Sequence, residues 1–177
     1  MSQRNSGYTR YTHDEYETPA WCTAALVPHL PSAPARIWEP AAGSGKMVRA
    51  LQDAGYAVIG TDIATGDDFL KAQSARASII VSNPPYSHAQ AFIEHALALT
   101  KPVGGMVCML LRCDYDSAAT RQHLFGGCTQ FAEKLVLTKR IRWIEGSNGS
   151  PSFNHCWMKW DWAHSGPPTL AYAPVPD

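Results

Sequence analysis

Short apolar segments alternate with helical segments along the first two thirds of the chain, and this order restricts the fold more than any other feature. Strands are predicted at residues 35–39, 56–62, 78–82 and 104–111. Helices are predicted at residues 46–54 and 89–100. Because strands joined through helices run in the same direction, the alternation predicts an α/β fold with a mostly parallel sheet and helices on both faces.

The last third of the chain and its two ends depart from this pattern. Residues 134–144 and 154–162 predict two longer strands, paired antiparallel at one end of the sheet. Residues 1–14 are polar and are expected to be flexible, and the proline-rich tail at residues 163–177 is expected to be unpacked. Residues 15–162 would then form one domain. Its first helix is expected to have Thr18 as N-cap and Pro19 at its first position.

Charge, cysteine and histidine usage argue against several classes of protein. Lys plus Arg and Asp plus Glu both number 15 in 177 residues, so the overall charge does not by itself indicate a nucleic-acid partner. The five cysteines form no C-x-x-C pair and the seven histidines no H-E-x-x-H motif, which predicts reduced thiols in a cytoplasmic protein and no metal site. No apolar run approaches the roughly 18 residues of a membrane span, and the polar start is not a secretory signal, so no membrane partner is expected.

The segment EPAAGSG, residues 39–45, joins the first predicted strand to the helix at residues 46–54. Glycine adopts positive φ and lets the backbone approach a ligand closely. In open α/β sheets, ligands bind at the carboxyl ends of the strands. Asp62 ends the next strand, 19 residues after Gly43, where a carboxylate can accept both hydroxyls of a ribose.

Three interpretations of this glycine turn compete. A phosphate loop fails, because Pro40 stands where the first glycine belongs and Met47 replaces the hydroxyl residue that holds magnesium. A dinucleotide fingerprint is incomplete, because Val48 stands where the third glycine belongs. A glycine turn with no ligand is the third interpretation. Glu39 would repel a pyrophosphate but favours a nearby sulfonium or ammonium group, and S-adenosylmethionine carries both.

The segment VSNPPYSH, residues 81–88, ends the third predicted strand with two consecutive prolines. Proline lacks an N–H, fixes φ and holds the preceding residue in an extended conformation. We therefore expect Asn83 and Pro84 to be rigid and to face outward with their polar groups. The segment would present a carboxamide and a backbone carbonyl to a ligand; a plain turn is the alternative.

Taken together, EPAAGSG (39–45), TDI (61–63), DDFL (67–70) and NPPY (83–86) resemble a known family. They are similar to the class I S-adenosylmethionine-dependent amino-methyltransferases, specifically the adenine-N6 DNA methyltransferases, and the small size resembles the compact enzymes of phage and prophage genomes. The segment YETP at residues 16–19 resembles the Thr-Pro segment before their first strand. The resemblance covers roughly residues 16–112 and implies a Rossmann-like fold with S-adenosylmethionine as cofactor.

The resemblance implies roles for individual residues. The cofactor would contact Thr18, Pro19, Glu39, Pro40, Ala41, Gly43, Gly45, Asp62, Ile63, Asp68, Phe69 and Asn83. The catalytic turn would consist of Asn83, Pro84, Pro85 and Tyr86. An exocyclic adenine amine is a poor nucleophile, and the Asn83 oxygen and the Pro84 carbonyl would each accept one of its N–H groups and favour a pyramidal nitrogen. Tyr86 would stack on the target base, which must leave the stack if the substrate is duplex DNA.

Sequence-specific members of this family carry a target recognition domain, and we expect no separate domain of this kind in residues 1–177. Only 20 residues separate Asp62 from Asn83. Substrate contacts are therefore expected at Lys139, Arg140 and Arg142, which can hold phosphates, and at Phe153, which can stack on a base. A solvated strand edge followed by a flexible hairpin is the alternative interpretation of this segment.

The same motifs leave other functions open. An RNA adenine-N6 methyltransferase shares the chemistry, and a protein glutamine methyltransferase shares the NPPY turn but carries an N-terminal helical domain. A non-catalytic nucleic-acid-binding module with this fold belongs to a different class. The sequence predicts DNA as the partner; it leaves open the target site, the strandedness of the substrate, and whether the protein is a monomer or a homodimer.

Overall fold

The computed structural model describes residues 17–143, 151 and 153–176. The strands are β1 (Arg36–Glu39), β2 (Ala57–Gly60), β3 (Ile79–Ser82), β4 (Met106–Arg112), β5 (Phe131–Val136), β6 (His155–Asp161) and β7 (Thr169–Tyr172). The α-helices are α1 (Ala20–Leu26), α2 (Lys46–Asp53) and α3 (Ala89–Thr100). The strands predicted at 35–39, 56–62, 78–82 and 104–111 and the helices predicted at 46–54 and 89–100 thus exist, with ends that shift by two residues or fewer.

The seven strands form one sheet in the order β2-β1-β3-β4-β6-β5-β7. Strand β6 runs antiparallel to both of its neighbours, β4 and β5, and all other pairings are parallel. This confirms the predicted α/β architecture with its antiparallel pair. Because only β6 is reversed, six strands end at one edge of the sheet, and β6 begins there.

Hydrophobic layers cover both faces of the sheet. Helices α1 and α2 pack on one face, where Leu26 and Leu51 contact a cluster that includes Leu110 and Trp157. Helix α3 packs on the other face, where Ile93 lies in a second cluster. Successive residues of β4 alternate between the two clusters, and Val107 to Leu111 are fully buried. The continuous apolar run of this strand follows from burial on both faces.

The prediction of an unpacked tail is wrong for residues 169–173. Strand β7 pairs in parallel with β5, and the Ala173 N–H donates to the Val136 carbonyl at 2.9 Å. Ala173 is 4% exposed, whereas Leu170 and Tyr172 face solvent. The prolines lie before and after this four-residue strand, so the missing proline N–H groups do not remove any hydrogen bond between strands. The proline content of the tail was therefore not a sign of an unpaired segment.

Two element boundaries also differ from the sequence prediction. The fifth strand covers Phe131–Val136 rather than residues 134–144. The Leu137 N–H still donates to the His155 carbonyl at 3.0 Å, whereas residues 138–143 leave the sheet, and residue 144 lies outside the described ranges. The polar run Thr138 to Arg140 is exposed, so no apolar face holds it in the sheet. Pro19, not Thr18, is the N-cap of α1; no side chain caps this helix, and Thr18 is buried.

None of the helices in the described ranges is long and apolar enough to cross a membrane.

Candidate active site at the carboxyl edge of the sheet

The loops after β1, β2 and β3 surround a cleft of about 1090 Å³. Its lining comes from residues 17–18, 39–44, 46–47, 62–65, 67–70, 83, 85, 87–88 and 92. Adjacent parallel strands that end together bring these loops to one place, as in other open α/β sheets. The structure thus brings together most of the residues predicted from the sequence: Thr18, Glu39, Pro40, Ala41, Gly43, Asp62, Ile63, Asp68, Phe69, Asn83 and Pro85.

The glycine turn runs along the cleft with its backbone exposed. Gly43 has φ +49° and Gly45 has φ +82°, which are left-handed conformations that side chains disfavour. A Cβ atom on Gly43 would meet nothing within 4 Å, so a ligand can approach the backbone there. The Gly43 N–H donates to Asp62 Oδ2 at 2.9 Å, which ties the turn to the end of β2. Gly45 is the N-cap of α2 and does not line the cleft.

Close packing of α2 on the sheet depends on a glycine in β2 rather than on one in the turn. A Cβ atom on Gly60 would lie 2.8 Å from Val48 Cγ2. Val48 occupies the position of the missing third glycine of the dinucleotide fingerprint, and Gly60 makes room for it. The helix can therefore approach the strand closely even though the fingerprint is incomplete.

Glu39 ends β1 as a buried carboxyl group, 1% exposed. Its Oε1 accepts hydrogen bonds from the Ala41 N–H at 2.9 Å and from Ser82 Oγ at 2.7 Å. Its Oε2 has no hydrogen-bond partner among the described residues. Burial raises the pKa of the Glu39 carboxyl to about 8, and the charge of Asp62 adds to this shift. A cation bound at Oε2 would stabilise the ionised form.

Asp62 caps the short 3₁₀ segment Ile63–Thr65. Its Oδ1 accepts from the Ala64 N–H at 2.8 Å while Oδ2 accepts from Gly43, so two bonds fix the carboxylate plane. Each oxygen keeps a further lone pair for a hydroxyl donor. The Ile63 side chain beside it is 72% exposed, as a residue that packs on a ligand ring would be.

Asp68 and Phe69 also line the cleft. Asp68 accepts from the Leu70 N–H at 3.1 Å and from Lys71 Nζ at 3.0 Å, and the bond with Lys71 lowers the pKa of Asp68. Phe69 is 3% exposed and packs edge-on against Trp38, with ring centroids 5.2 Å apart. Phe69 is therefore mainly a core residue that contributes one surface to the cleft.

The NPPY turn follows β3 directly. Asn83 and Pro85 line the cleft, whereas Pro84 is buried and Tyr86 lies beside the cleft. Tyr86 begins a 3₁₀ segment, Tyr86–His88, and its Oη lies 2.9 Å from His155 Nε2. The turn is thus held from two sides, by the Ser82–Glu39 bond before it and by the contact with His155 after it.

The basic segment predicted to contact substrate lies at the same edge of the sheet but outside the cleft. Lys139, Arg140 and Arg142 are exposed. Arg140 Nε donates to Asn154 Oδ1 at 2.9 Å, and the Arg112 guanidinium lies 3.9 Å from the centroid of the Phe153 ring. Pro19 also lies outside the cleft lining. Residues 144–150 and 152, which include most of the loop expected after this segment, are outside the described ranges.

Sequence reasoning missed the residues that hold this site together. Ser82 and His155 act through hydrogen bonds to residues far away in the chain. A third missed contact is an ion pair at 2.7 Å between Glu17 and Lys46 at the mouth of the cleft, where Lys46 lowers the pKa of Glu17. Ser82 could have been suspected as the polar end of an apolar strand, but its partner could not.

Acidic side chains outnumber basic ones in the lining of the cleft, which holds Lys46 and five acids: Glu17, Glu39, Asp62, Asp67 and Asp68. Three of these acids pair with basic side chains: Glu17 with Lys46, Asp67 with Arg76 and Asp68 with Lys71. The remaining excess of acidic groups, at Asp62 and Glu39, disfavours a phosphate ligand and favours a cation. Within the described part of the chain, no group of three or more His, Cys, Asp or Glu side chains is placed to hold a metal ion.

Comparisons with known proteins match the fold and not the sequence. No protein-family model matches the chain, and no curated protein matches it. A candidate RNA methyltransferase from Pyrococcus horikoshii superposes with a TM-score of 0.66 at 12% identity, over 88% of this chain and 90% of the other. A candidate class I S-adenosylmethionine-dependent methyltransferase from Listeria monocytogenes superposes with a TM-score of 0.56 at 13% identity, over 88% and 62%.

The M protein of the type I restriction enzyme EcoKI is a third similar structure, with a TM-score of 0.57 and 13% identity over 85% of this chain. The chain spans 44% of that protein and 62% of the Listeria protein. At such identities the likeness concerns the arrangement of the backbone, and function must be argued from the site. The chain has the Rossmann-like fold of class I methyltransferases.

Proposed function

We propose that this protein is an S-adenosylmethionine-dependent methyltransferase that acts on the exocyclic N6 amine of adenine in DNA. One observation carries the proposal: the glycine turn with its buried acid and the NPPY turn lie at the ends of neighbouring strands and line one cleft. The Ser82–Glu39 hydrogen bond at 2.7 Å fixes the two turns relative to each other. Asn83 directly follows Ser82, so the candidate substrate acceptor lies next to the candidate cofactor site.

The described residues fit the proposed cofactor. The acidic lining and the Glu39 Oε2 atom without a hydrogen-bond partner in the described structure favour a ligand with ammonium and sulfonium charges. Asp62 offers acceptors for ribose hydroxyls, and the exposed Ile63 offers an apolar surface for an adenine ring. S-adenosylmethionine supplies an activated methyl group when bound. Glu39, Gly43, Asp62, Ile63 and Asp68 would hold it.

The NPPY turn has the groups that an amine substrate requires. The Asn83 side-chain oxygen and the Pro84 carbonyl would each accept an N–H of the target amine, and the prolines restrict how these groups can move. Orientation of this kind, rather than acid–base chemistry, is the main contribution expected from the protein. Tyr86 would stack on the base beside the cleft.

DNA is the proposed substrate, and RNA is the second candidate. The DNA proposal rests on the resemblance of the motifs to adenine-N6 DNA methyltransferases of the phage type. RNA is favoured by the likeness to the candidate RNA methyltransferase of Pyrococcus horikoshii, which covers about the same share of both chains. In either case Lys139, Arg140, Arg142 and Phe153 would contact the nucleic acid, since basic and aromatic side chains bind phosphates and bases.

Methyl transfer tests the proposal directly. Labelled S-adenosylmethionine should be incubated with the wild-type protein and, side by side, unmethylated duplex DNA, the same DNA heat-denatured, total RNA and cell-lysate protein. We expect label in DNA and N6-methyladenine in the digest by mass spectrometry. Label mainly in RNA would support the second candidate. Label on protein glutamine or on cytosine, or no transfer at all, would refute the assignment.

A further inference from the structure

His155 is a buried polar residue at the beginning of a strand that is otherwise largely apolar. It begins β6, is 2% exposed and pairs with Arg112 of β4. Because β6 is the reversed strand, its first residue lies at the carboxyl edge of the other strands. His155 therefore stands between the NPPY turn and the segment that follows β5.

Two aromatic residues contact His155, one from each of these segments. Its Nε2 lies 2.9 Å from Tyr86 Oη, and the two rings are tilted by 34°. The Trp143 ring stands nearly perpendicular to it at 83°, with the ring centroids 5.2 Å apart. Tyr86 is 69 positions away in sequence, so this contact joins parts of the chain that are otherwise separate.

The histidine is suited to a neutral hydrogen bond with the tyrosine. Burial lowers the pKa of His155 to about 4, so the ring is uncharged near neutral pH. An uncharged ring can either accept a hydrogen bond from the Tyr86 hydroxyl or donate one to the hydroxyl oxygen, depending on its tautomer. A hydrogen bond and an edge-to-face ring contact on the same side chain restrict the rotation of both neighbours.

We propose that His155 is a positioning residue that holds Tyr86 and Trp143 together as one aromatic surface for an unstacked nucleobase. This inference rests on the proposed function and adds a residue to it. A tyrosine ring that is fixed before the base arrives loses less conformational entropy on binding, which lowers the free energy cost of the complex. The contact also makes the segment after β5 part of the base site.

A double-mutant cycle tests the inference. The variants are His155→Phe, His155→Gln, Tyr86→Phe and the double variant with both phenylalanines. The matched control is Tyr56→Phe, since Tyr56 Oη donates to the Pro31 carbonyl at 2.9 Å, away from the cleft lining. For each protein, kcat and KM are measured with unmethylated plasmid DNA, duplex and heat-denatured, together with S-adenosylmethionine affinity by calorimetry.

We expect His155→Phe and Tyr86→Phe each to raise KM for the DNA about three- to tenfold with kcat nearly unchanged, as loss of one neutral hydrogen bond would. The double variant should lose no more than either single variant, because both remove the same contact. His155→Gln keeps a hydrogen-bonding group and should retain most of the wild-type affinity. Cofactor affinity and the Tyr56→Phe control should match the wild type.

Additive losses in the double variant, an unchanged KM, or an equal loss in the Tyr56→Phe control would overturn the inference. If His155→Phe fails to fold, the comparison of His155→Gln with Tyr86→Phe still decides, since Gln keeps the bond and Phe removes it. Absence of methyl transfer by the wild-type protein to DNA and RNA would instead refute the proposed function, and the inference with it. The two failures are therefore distinguishable.

Discussion

Replacing Glu39 by glutamine should change how the stability of this protein depends on pH. The carboxyl group is buried, and its pKa is raised to about 8 from the ordinary 4.5, mainly by burial and partly by the Asp62 charge, while Ser82 and Ala41 oppose the shift. A carboxyl whose pKa is higher in the folded than in the unfolded state is stabilising when protonated. Its contribution is complete below pH 4.5 and is lost as the pH rises to about 8.

The size of this change in stability follows from the difference between the folded and unfolded pKa values of Glu39. Each pH unit between the two pKa values costs about 1.4 kcal/mol of unfolding free energy. Between pH 5 and pH 9 the wild-type protein should therefore lose about 4 kcal/mol through this one group, a large part of the 5–15 kcal/mol of a typical domain. The Glu39→Gln variant does not ionise, and its amide can still accept from Ser82 and Ala41.

Urea unfolding of both proteins from pH 5 to pH 9 measures this difference. At pH 5 the two should agree within about 1 kcal/mol, because protonated Glu39 and glutamine are similar in size and polarity. At pH 9 the variant should be more stable by several kcal/mol. The control is Glu94→Gln, a change at a surface carboxylate that pairs with His123. A difference between Glu39→Gln and wild type that stays constant across this range would refute the reasoning.

Four further outcomes are expected. Asp62→Ala should weaken S-adenosylmethionine binding by an order of magnitude or more, because charge-assisted hydrogen bonds to the ribose and the Gly43 anchor are lost together; unchanged affinity in calorimetry would argue against the site. Asn83→Ala should abolish methyl transfer in the labelling assay but leave cofactor affinity nearly intact; wild-type turnover would refute the role of the turn. Changing Arg140 and Arg142 to alanine should make the slope of log affinity for DNA against log salt concentration shallower by up to about two. An unchanged slope would mean that these residues are a solvated surface and do not contact phosphates. Ala173→Asp should lower the unfolding free energy by about 3 kcal/mol, because it buries a carboxylate between β5 and the core; an unchanged urea midpoint would mean that the end of the tail is not packed in solution.

The sequence predicted the parallel half of the sheet well, for a physical reason. Strand β4 is apolar at six consecutive positions because both faces are covered. In an α/β chain, such a run is typical of a buried parallel strand. Strand β7 was missed because it is four residues long, lies at the edge of the sheet and stands among prolines. Within this strand only Ala171 is partly buried, so it leaves little hydrophobic signal.

The candidate site was predictable where its residues are neighbours in sequence. The glycine turn, Asp62 and the NPPY turn can each be recognised from a few consecutive residues, and the α/β topology brings strand ends together. Contacts across the sheet cannot be predicted in this way. The bonds of Ser82 to Glu39 and of Tyr86 to His155 join positions 43 and 69 apart, and they depend on strand order and register, which local patterns do not specify.

The reversal of β6 has a consequence for how proteins of this architecture can diversify. Strand β5 ends, and β6 begins, at the edge where the cleft opens, so the connection across residues 137–154 starts and finishes beside the candidate substrate surface. Doubling the length of a flexible connection costs only about 0.6 kcal/mol in closure entropy. New recognition sequence can therefore be accommodated at this point, next to the reacting groups, while every strand keeps its neighbours and its register.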